Sequence, residues 1–149
     1  MNLLKFHNKI KGYTQNRQPG IEADMEPKPI AELEEYKAAG KLENKVALIT
    51  GGDSGIGRAI AILYAKEGAN VAIGYYDEHQ DAEDTVNRLQ EMGVKAKAYA
   101  HDLKDEKQSQ KLIKDVINDF GSLNILVNNG GVQFPRDHFE DITPQQVKE

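Results

Sequence analysis

The 149 residues include no cysteine and no tryptophan, only five prolines, and no apolar run approaching the length of a membrane span. Without cysteine there is no disulfide framework, no thiolate nucleophile and no Cys-ligated zinc. A bilayer crossing needs about 18 consecutive apolar residues, and runs such as Val46 to Ile49 fall far short. The segment Met1 to Lys11 has basic residues but only Leu3-Leu4 as an adjacent apolar pair, whereas a signal peptide needs an apolar stretch of about 7–15 residues. No leader and no membrane partner are therefore expected, and a cytoplasmic setting is the simplest. Positive charge is also short: 19 basic against 24 acidic side chains leave a net charge of −5. Nucleic-acid binding needs a cationic footprint, so that partner class is set aside.

What is present divides in two. Residues 1–44 hold three of the five prolines (Pro19, Pro27, Pro29) and no core-length apolar element. Gln18-Pro19-Gly20 reads as a turn and Pro27-Lys28-Pro29 as an extended piece. A short helix is predicted from Ile30 to Ala39, stopped by Gly40. Two readings stand for this segment, an arm packed on something larger and a disordered leader.

From Lys45 onward, short apolar strands alternate with amphipathic helices. Val46-Ala47-Leu48-Ile49 is continuous, as in a parallel strand covered on both faces. A glycine-rich turn follows, then a helix with apolar positions Ile56, Ile60, Leu63 and Tyr64, stopped by Gly68. Val71 to Ile73 forms a second strand, and Ala82, Val86 and Leu89 stripe a second helix. Val94, Ala96, Ala98 and Ala100 alternate with Lys95, Lys97 and Tyr99 in a third strand. Leu112, Ile113, Val116, Ile117 and Phe120 stripe a third helix, and Ile125 to Val127 is a fourth strand.

The order β-α-β-α-β-α-β with short connections predicts right-handed parallel crossovers. The fold class is α/β: a Rossmann-type doubly wound parallel sheet in order 3-2-1-4, ending after its fourth strand. Residues 45–149 are expected to form one unit, the half of such a fold that would hold a dinucleotide. Near the end, Thr143-Pro144-Gln145-Gln146 has a cap residue, a proline at the first helical position and a glutamine three residues after the cap. That announces a further helix, and the chain stops at Glu149.

The strand ending at Thr50 runs into Gly51-Gly52-Asp53-Ser54-Gly55-Ile56-Gly57, which opens the first helix. Free backbone N–H groups and the helix dipole converge there, so a pyrophosphate is bound well. Gly51 is expected to allow the tight turn, Gly55 the close approach of backbone to ligand, and Gly57 the packing of helix against strand. Asp53 and Ser54 are candidates to cap the helix while facing the ligand. The spacing is G-x-x-x-G-x-G rather than G-x-G-x-x-G. A plain glycine turn and a methyltransferase-like nucleotide binder both share a glycine loop after the first strand.

Thr50 to Gly57, then His101-Asp102-Leu103 after the third strand, then Asn128-Asn129-Gly130-Gly131 after the fourth, together resemble the short-chain dehydrogenases/reductases. The last motif usually has alanine where Gly130 stands. Gln18-Pro19-Gly20, Met25 and Pro27-x-Pro29 further resemble a bacterial subgroup described as general-stress oxidoreductases. The resemblance covers essentially the whole chain but only about the first half of the family's length. It implies that Gly51 to Gly57 hold the pyrophosphate, that Asp102 and Leu103 meet the adenine, and that Asn129 and Gly130 lie along the nicotinamide ribose. Asn128 is given a structural role, and a plain helix cap is the alternative for Asp102.

Similar NAD enzymes carry an acidic residue where Tyr75 stands, and similar NADP enzymes place a cation at Ser54 or Tyr76. This chain has neither. Val71 to Asp84 nevertheless contains Asp77, Glu78, Asp81, Glu83 and Asp84 and no lysine or arginine. NAD is therefore the expected cofactor, with NADP the alternative.

The family's acid/base is a tyrosine with lysine four residues later, assisted by a serine and an asparagine. None of the six tyrosines has lysine at that spacing, so no catalytic residue of the family is assigned. The histidines His7, His79, His101 and His138 lack metal-ligand spacing and are expected at the surface or in loops. The reading is the cofactor-binding portion of an oxidoreductase that acts on a carbonyl/alcohol pair. Its full-length relatives are usually homo-oligomeric. A non-catalytic dinucleotide-binding or interaction fragment is the alternative from another class.

Overall fold

The computed structural model describes residues 15–17, 20–33, 35–132 and 138–146. Its centre is a parallel sheet of β1 (Val46–Thr50), β2 (Asn70–Tyr75), β3 (Ala96–Ala100) and β4 (Ile125–Val127), in the spatial order β3-β2-β1-β4. Register pairs Leu48 with Ala72 and with Leu126, and Gly74 with Tyr99. The connections are α1 (Gly55–Lys66), α2 (His79–Glu91) and α3 (Glu106–Phe120). This is the predicted order, with β3 starting two residues later than the alternating pattern at Val94.

All five residues of β1 are buried because helices cover both faces of the sheet. Val46 and Leu48 pack with Ala72, Leu112 and Val116 on the α3 side. Ile49 packs with Val71, Ile73, Ala61, Ala65 and Leu89 on the α1–α2 side. Each such aliphatic side chain withdrawn from water contributes about 1.5–3 kcal/mol, so β1 is the anchor from which the glycine turn departs. At the sheet's edge, β4 is thinly covered and Leu126 is 49 % exposed.

The buried face of α1 differs from the predicted stripe. Ile56 is 74 % exposed and Leu63 is also exposed, while Gly57, Ala61, Ile62 and Ala65 are buried. The small residues let the helix axis approach the sheet, and the bulky ones are pushed to its flanks. In α3 the expected face forms, with Leu112 and Val116 buried, although Ile117 lies outside it.

Among the described residues, the helix expected over Ile30–Ala39 is absent. A single 3-10 turn at Glu22–Asp24 precedes an irregular path. A short isolated helix is costly to nucleate, and here the backbone finds other partners. Glu67, the C-cap residue of α1, accepts from Ala39 N–H, Lys41 N–H and the Tyr36 hydroxyl, and Leu33 O accepts from Lys66 Nζ at 2.7 Å. Glu32 bonds Arg88 at 3.0 Å and Lys66 at 2.9 Å. The described arm residues therefore lie on α1 and α2 rather than apart from them. Outside the described residues lie His7, the Gln18-Pro19 part of the expected turn, and the last three positions of the chain. The capping box at Thr143 is formed, with Thr143 N–H donating to Gln146 Oε1 at 3.0 Å and Gln146 N–H to Thr143 Oγ1 at 3.4 Å.

Candidate functional site at the carboxyl ends of the strands

The four parallel strands deliver the sequence-predicted residues to one edge. Tyr75 ends β2, Asp102 and Leu103 follow β3, Asn129 and Gly130 follow β4, and the glycine turn follows β1. Ligands of doubly wound sheets bind at this edge, beside the strand where the order reverses, which here is β1.

The turn is stitched from both sides. Thr50 Oγ1 accepts from Asn129 N–H at 3.0 Å and Gly130 N–H at 2.9 Å. Asn129 Nδ2 donates in return to Thr50 O at 2.9 Å and Gly51 O at 3.0 Å. On the other side Gly52 N–H reaches Gly74 O at 3.2 Å. Thr50 is therefore the hub of the site, although its hydroxyl has no local sequence pattern to reveal it.

The glycines answer different demands. Gly51 and Gly55 have φ of 61° and 53°, in the left-handed region that side chains resist. A Cβ on Gly57 would lie 1.9 Å from Gly51 O, so this glycine lets α1 close onto the turn itself rather than onto the strand. At Gly55 a Cβ would meet nothing within 4 Å, so the space expected for a ligand is open there.

The caps differ from expectation. Ser54 is the N-cap residue of α1 but makes no side-chain cap bond. Asp53 is buried, and that burial raises its carboxyl pKa; it does not face outward. The donor at Gly55 N is instead taken by Glu22 of the arm. Asp102 is not the cap of α3 either, because Asp105 accepts from Lys107 N–H at 2.8 Å and Gln108 N–H at 3.3 Å. Asp102 Oδ1 closes a local turn by accepting from Lys104 N–H at 2.9 Å. Leu103 is exposed and abuts Gly130, where a Cβ would come within 2.9 Å of Leu103 Cδ1. The glycine that replaces the family's usual alanine thus sits where space is tight.

The end of β2 is acidic. Tyr75 hydroxyl meets His79 Nδ1 at 2.9 Å, and burial, then the nearby Asp53 carboxylate, raises the phenol pKa. Asp77 is shifted down, chiefly by its hydrogen bond with Glu78, while burial pushes Glu78 up. The cation missing from Val71 to Asp84 arrives from the arm, with Arg17 Nη2 at 2.8 Å from Asp77 and 2.9 Å from Glu78.

His101 stands in the loop that follows β3, one of its two expected positions, though not at the surface. It is buried at the end of β3 against Gly74, whose added Cβ would clash with the imidazole at 2.4 Å. Among the described residues no group of histidines and carboxylates could hold a metal, and no helix is long and apolar enough to cross a membrane.

These features match known proteins. Residues 45–149 fit the family model described as short chain dehydrogenase. General stress protein 39 of Bacillus subtilis is 48% identical over 145 residues, covering 97% of this chain and 51% of that protein. NADPH-dependent aldehyde reductase 1, chloroplastic, of Arabidopsis thaliana is 39% identical over 90% of this chain and 49% of its own length. A short chain dehydrogenase from Burkholderia cenocepacia, solved in complex with NADP, superposes with a TM-score of 0.68 at 37% identity, covering 72% of this chain and 44% of that one. The chain spans about half the length of the relatives it matches. With the glycine turn, the Asp102-Leu103 exit and the Asn129-Gly130 exit in one parallel sheet, the chain belongs to the short chain dehydrogenase family.

Proposed function

We propose that this chain is the nicotinamide-dinucleotide-binding portion of an oxidoreductase that transfers hydride between the nicotinamide and a carbonyl/alcohol substrate. The observation that carries the reading is the glycine turn between β1 and α1, held open at Gly55 and stitched through Thr50 to Asn129 and Gly130. Gly51, Gly52, Asp53, Ser54, Gly55, Ile56 and Gly57 form the pyrophosphate cradle, directly or by shaping it. Asp102 and Leu103 receive the adenine, Tyr75 lies toward the adenosine ribose, and Asn129 and Gly130 line the nicotinamide ribose. The dinucleotide supplies the hydride acceptor or donor, and these residues bind and orient it.

No Tyr-x-x-x-Lys occurs in the 149 residues. The purified chain is therefore expected to bind the cofactor without turning over an alcohol or carbonyl. Between the two cofactors, the carboxylates after β2 favour NAD, and Arg17 lessens that preference without reversing it. Calorimetric titration with NAD, NADP and S-adenosylmethionine tests the reading. Binding of the dinucleotides alone, NAD the tighter, is expected. Selective binding of S-adenosylmethionine would overturn the assignment, and tighter binding of NADP would overturn the cofactor preference.

A further inference from the structure

The dinucleotide reading leaves open what holds the glycine turn in shape, and the answer lies outside the sheet. Ser54 leaves α1 without a side-chain cap of its own. Glu22, 33 residues upstream, supplies one: one carboxylate oxygen accepts from Gly55 N–H and the other from Arg58 Nη1 at 2.9 Å. The Glu22 side chain is 11% exposed and that of Arg58 23%. A charge-assisted pair so withdrawn from water is geometrically well defined.

The sign of the charges matters. A lone carboxylate at a helix N-terminus would repel a pyrophosphate approaching the same dipole. Arg58 cancels the charge of Glu22, so the cap braces the turn without placing a net anion there. Gly55, in its left-handed conformation with empty space where a side chain would be, receives no packing support of its own at that point. Asp81 of α2 secures Glu22 in turn by accepting its backbone N–H at 3.3 Å. A few residues earlier in the arm, Arg17 spans Asp77 and Glu78. One segment thus grips both the turn after β1 and the loop after β2.

We propose that the N-terminal arm is a structural part of the nucleotide site and that Glu22 is its positioning residue, fixing Gly55 and Arg58 so that the start of α1 meets the phosphates preorganised. The inference rests on the dinucleotide reading above, and its test separates the two. The 149-residue chain and its Glu22→Gln and Glu22→Ala variants are titrated with NAD, which carries the pyrophosphate, and with adenosine, which does not. Thermal melting reports whether each variant is folded. Glutamine keeps an acceptor for Gly55 and loses the ion pair, whereas alanine loses both.

NAD affinity is expected to fall about threefold for Glu22→Gln and about tenfold for Glu22→Ala, roughly one charged hydrogen bond, with adenosine affinity unchanged. If Glu22→Ala does not fold, Glu22→Gln carries the test alone. Unchanged NAD affinity, tighter NAD binding, or equal losses for NAD and adenosine would each overturn the positioning role. A wild-type chain that binds neither NAD nor NADP refutes the dinucleotide reading itself, and this inference with it.

Discussion

Thr50 Oγ1 accepts hydrogen bonds from the backbone N–H groups of both Asn129 and Gly130, at 3.0 and 2.9 Å, across 79 and 80 residues of chain. The same hydroxyl lies 3.3 Å from Val127 O, to which it donates. One short side chain at the end of β1 thereby fixes the exit of β4 and ties together the two walls of the candidate cofactor site.

Replacing Thr50 with valine keeps the shape and removes the acceptor. Two partly buried N–H groups then lose their partner, at a cost of about 1–3 kcal/mol for each one left unsatisfied. Thr50→Val is expected to lower the thermal midpoint and weaken NAD binding, while Thr50→Ser retains most of both. Thermal melts of the three proteins with and without NAD measure the difference, and equal midpoints would remove Thr50 from its place as hub.

Gly57 and Gly93 provide a contrast between sterics and backbone conformation. A methyl group at Gly57 collides with Gly51 O, whereas at Gly93 it meets nothing and only the φ of 86° resists it. Gly57→Ala must displace the turn and should cost at least about 1–3 kcal/mol, with NAD binding lost. Gly93→Ala should cost about 1 kcal/mol and leave NAD binding intact. Calorimetry on both variants decides it.

Acid should loosen the arm. The Tyr36 hydroxyl and the Lys41 and Ala39 N–H groups hold the Glu67 carboxyl down to about 2, from an ordinary 4.5. A depressed folded-state pKa means the unfolded chain binds the proton more readily. The contribution is therefore complete above about pH 4.5 and is lost as pH falls toward 2. Glu67→Gln should lose less stability than wild type between about pH 6, above that window, and about pH 3, within it, measured by denaturant midpoints. Parallel pH curves would assign the acid sensitivity elsewhere.

Core and edge should respond differently to truncation. Ile49 is fully buried in the centre of the sheet, and Leu126 is half-exposed on β4. Ile49→Ala should cost about 2–5 kcal/mol, and Leu126→Ala within about 0.5 kcal/mol. A comparable loss at Leu126 would mean that the β4 edge is covered in solution, which analytical ultracentrifugation would reveal as self-association.

Much of this was legible from local pattern. β1 shows as an apolar run because a central parallel strand is buried on both faces. The box at Thr143 and Gln146 shows because its two partners are three residues apart. The inward face of α1 does not show, because bulky Ile56 and Leu63 outweigh Gly57, Ala61 and Ala65 in any apolar count. The sheet selects the small residues for close approach.

By itself the sequence determined the alternation of strands and helices, the sheet order, and the place of the glycine-rich turn between β1 and α1. These follow from periodicity, connection length and backbone sterics, which act over a few residues. Only the tertiary structure decided which groups complete the site: Glu22 as the cap of α1, Arg17 as the cation beside Asp77, and Thr50 as the tie to Asn129 and Gly130. Those pairs lie 33 to 80 residues apart, and chain folding rather than spacing brings a charge to its partner across such a distance.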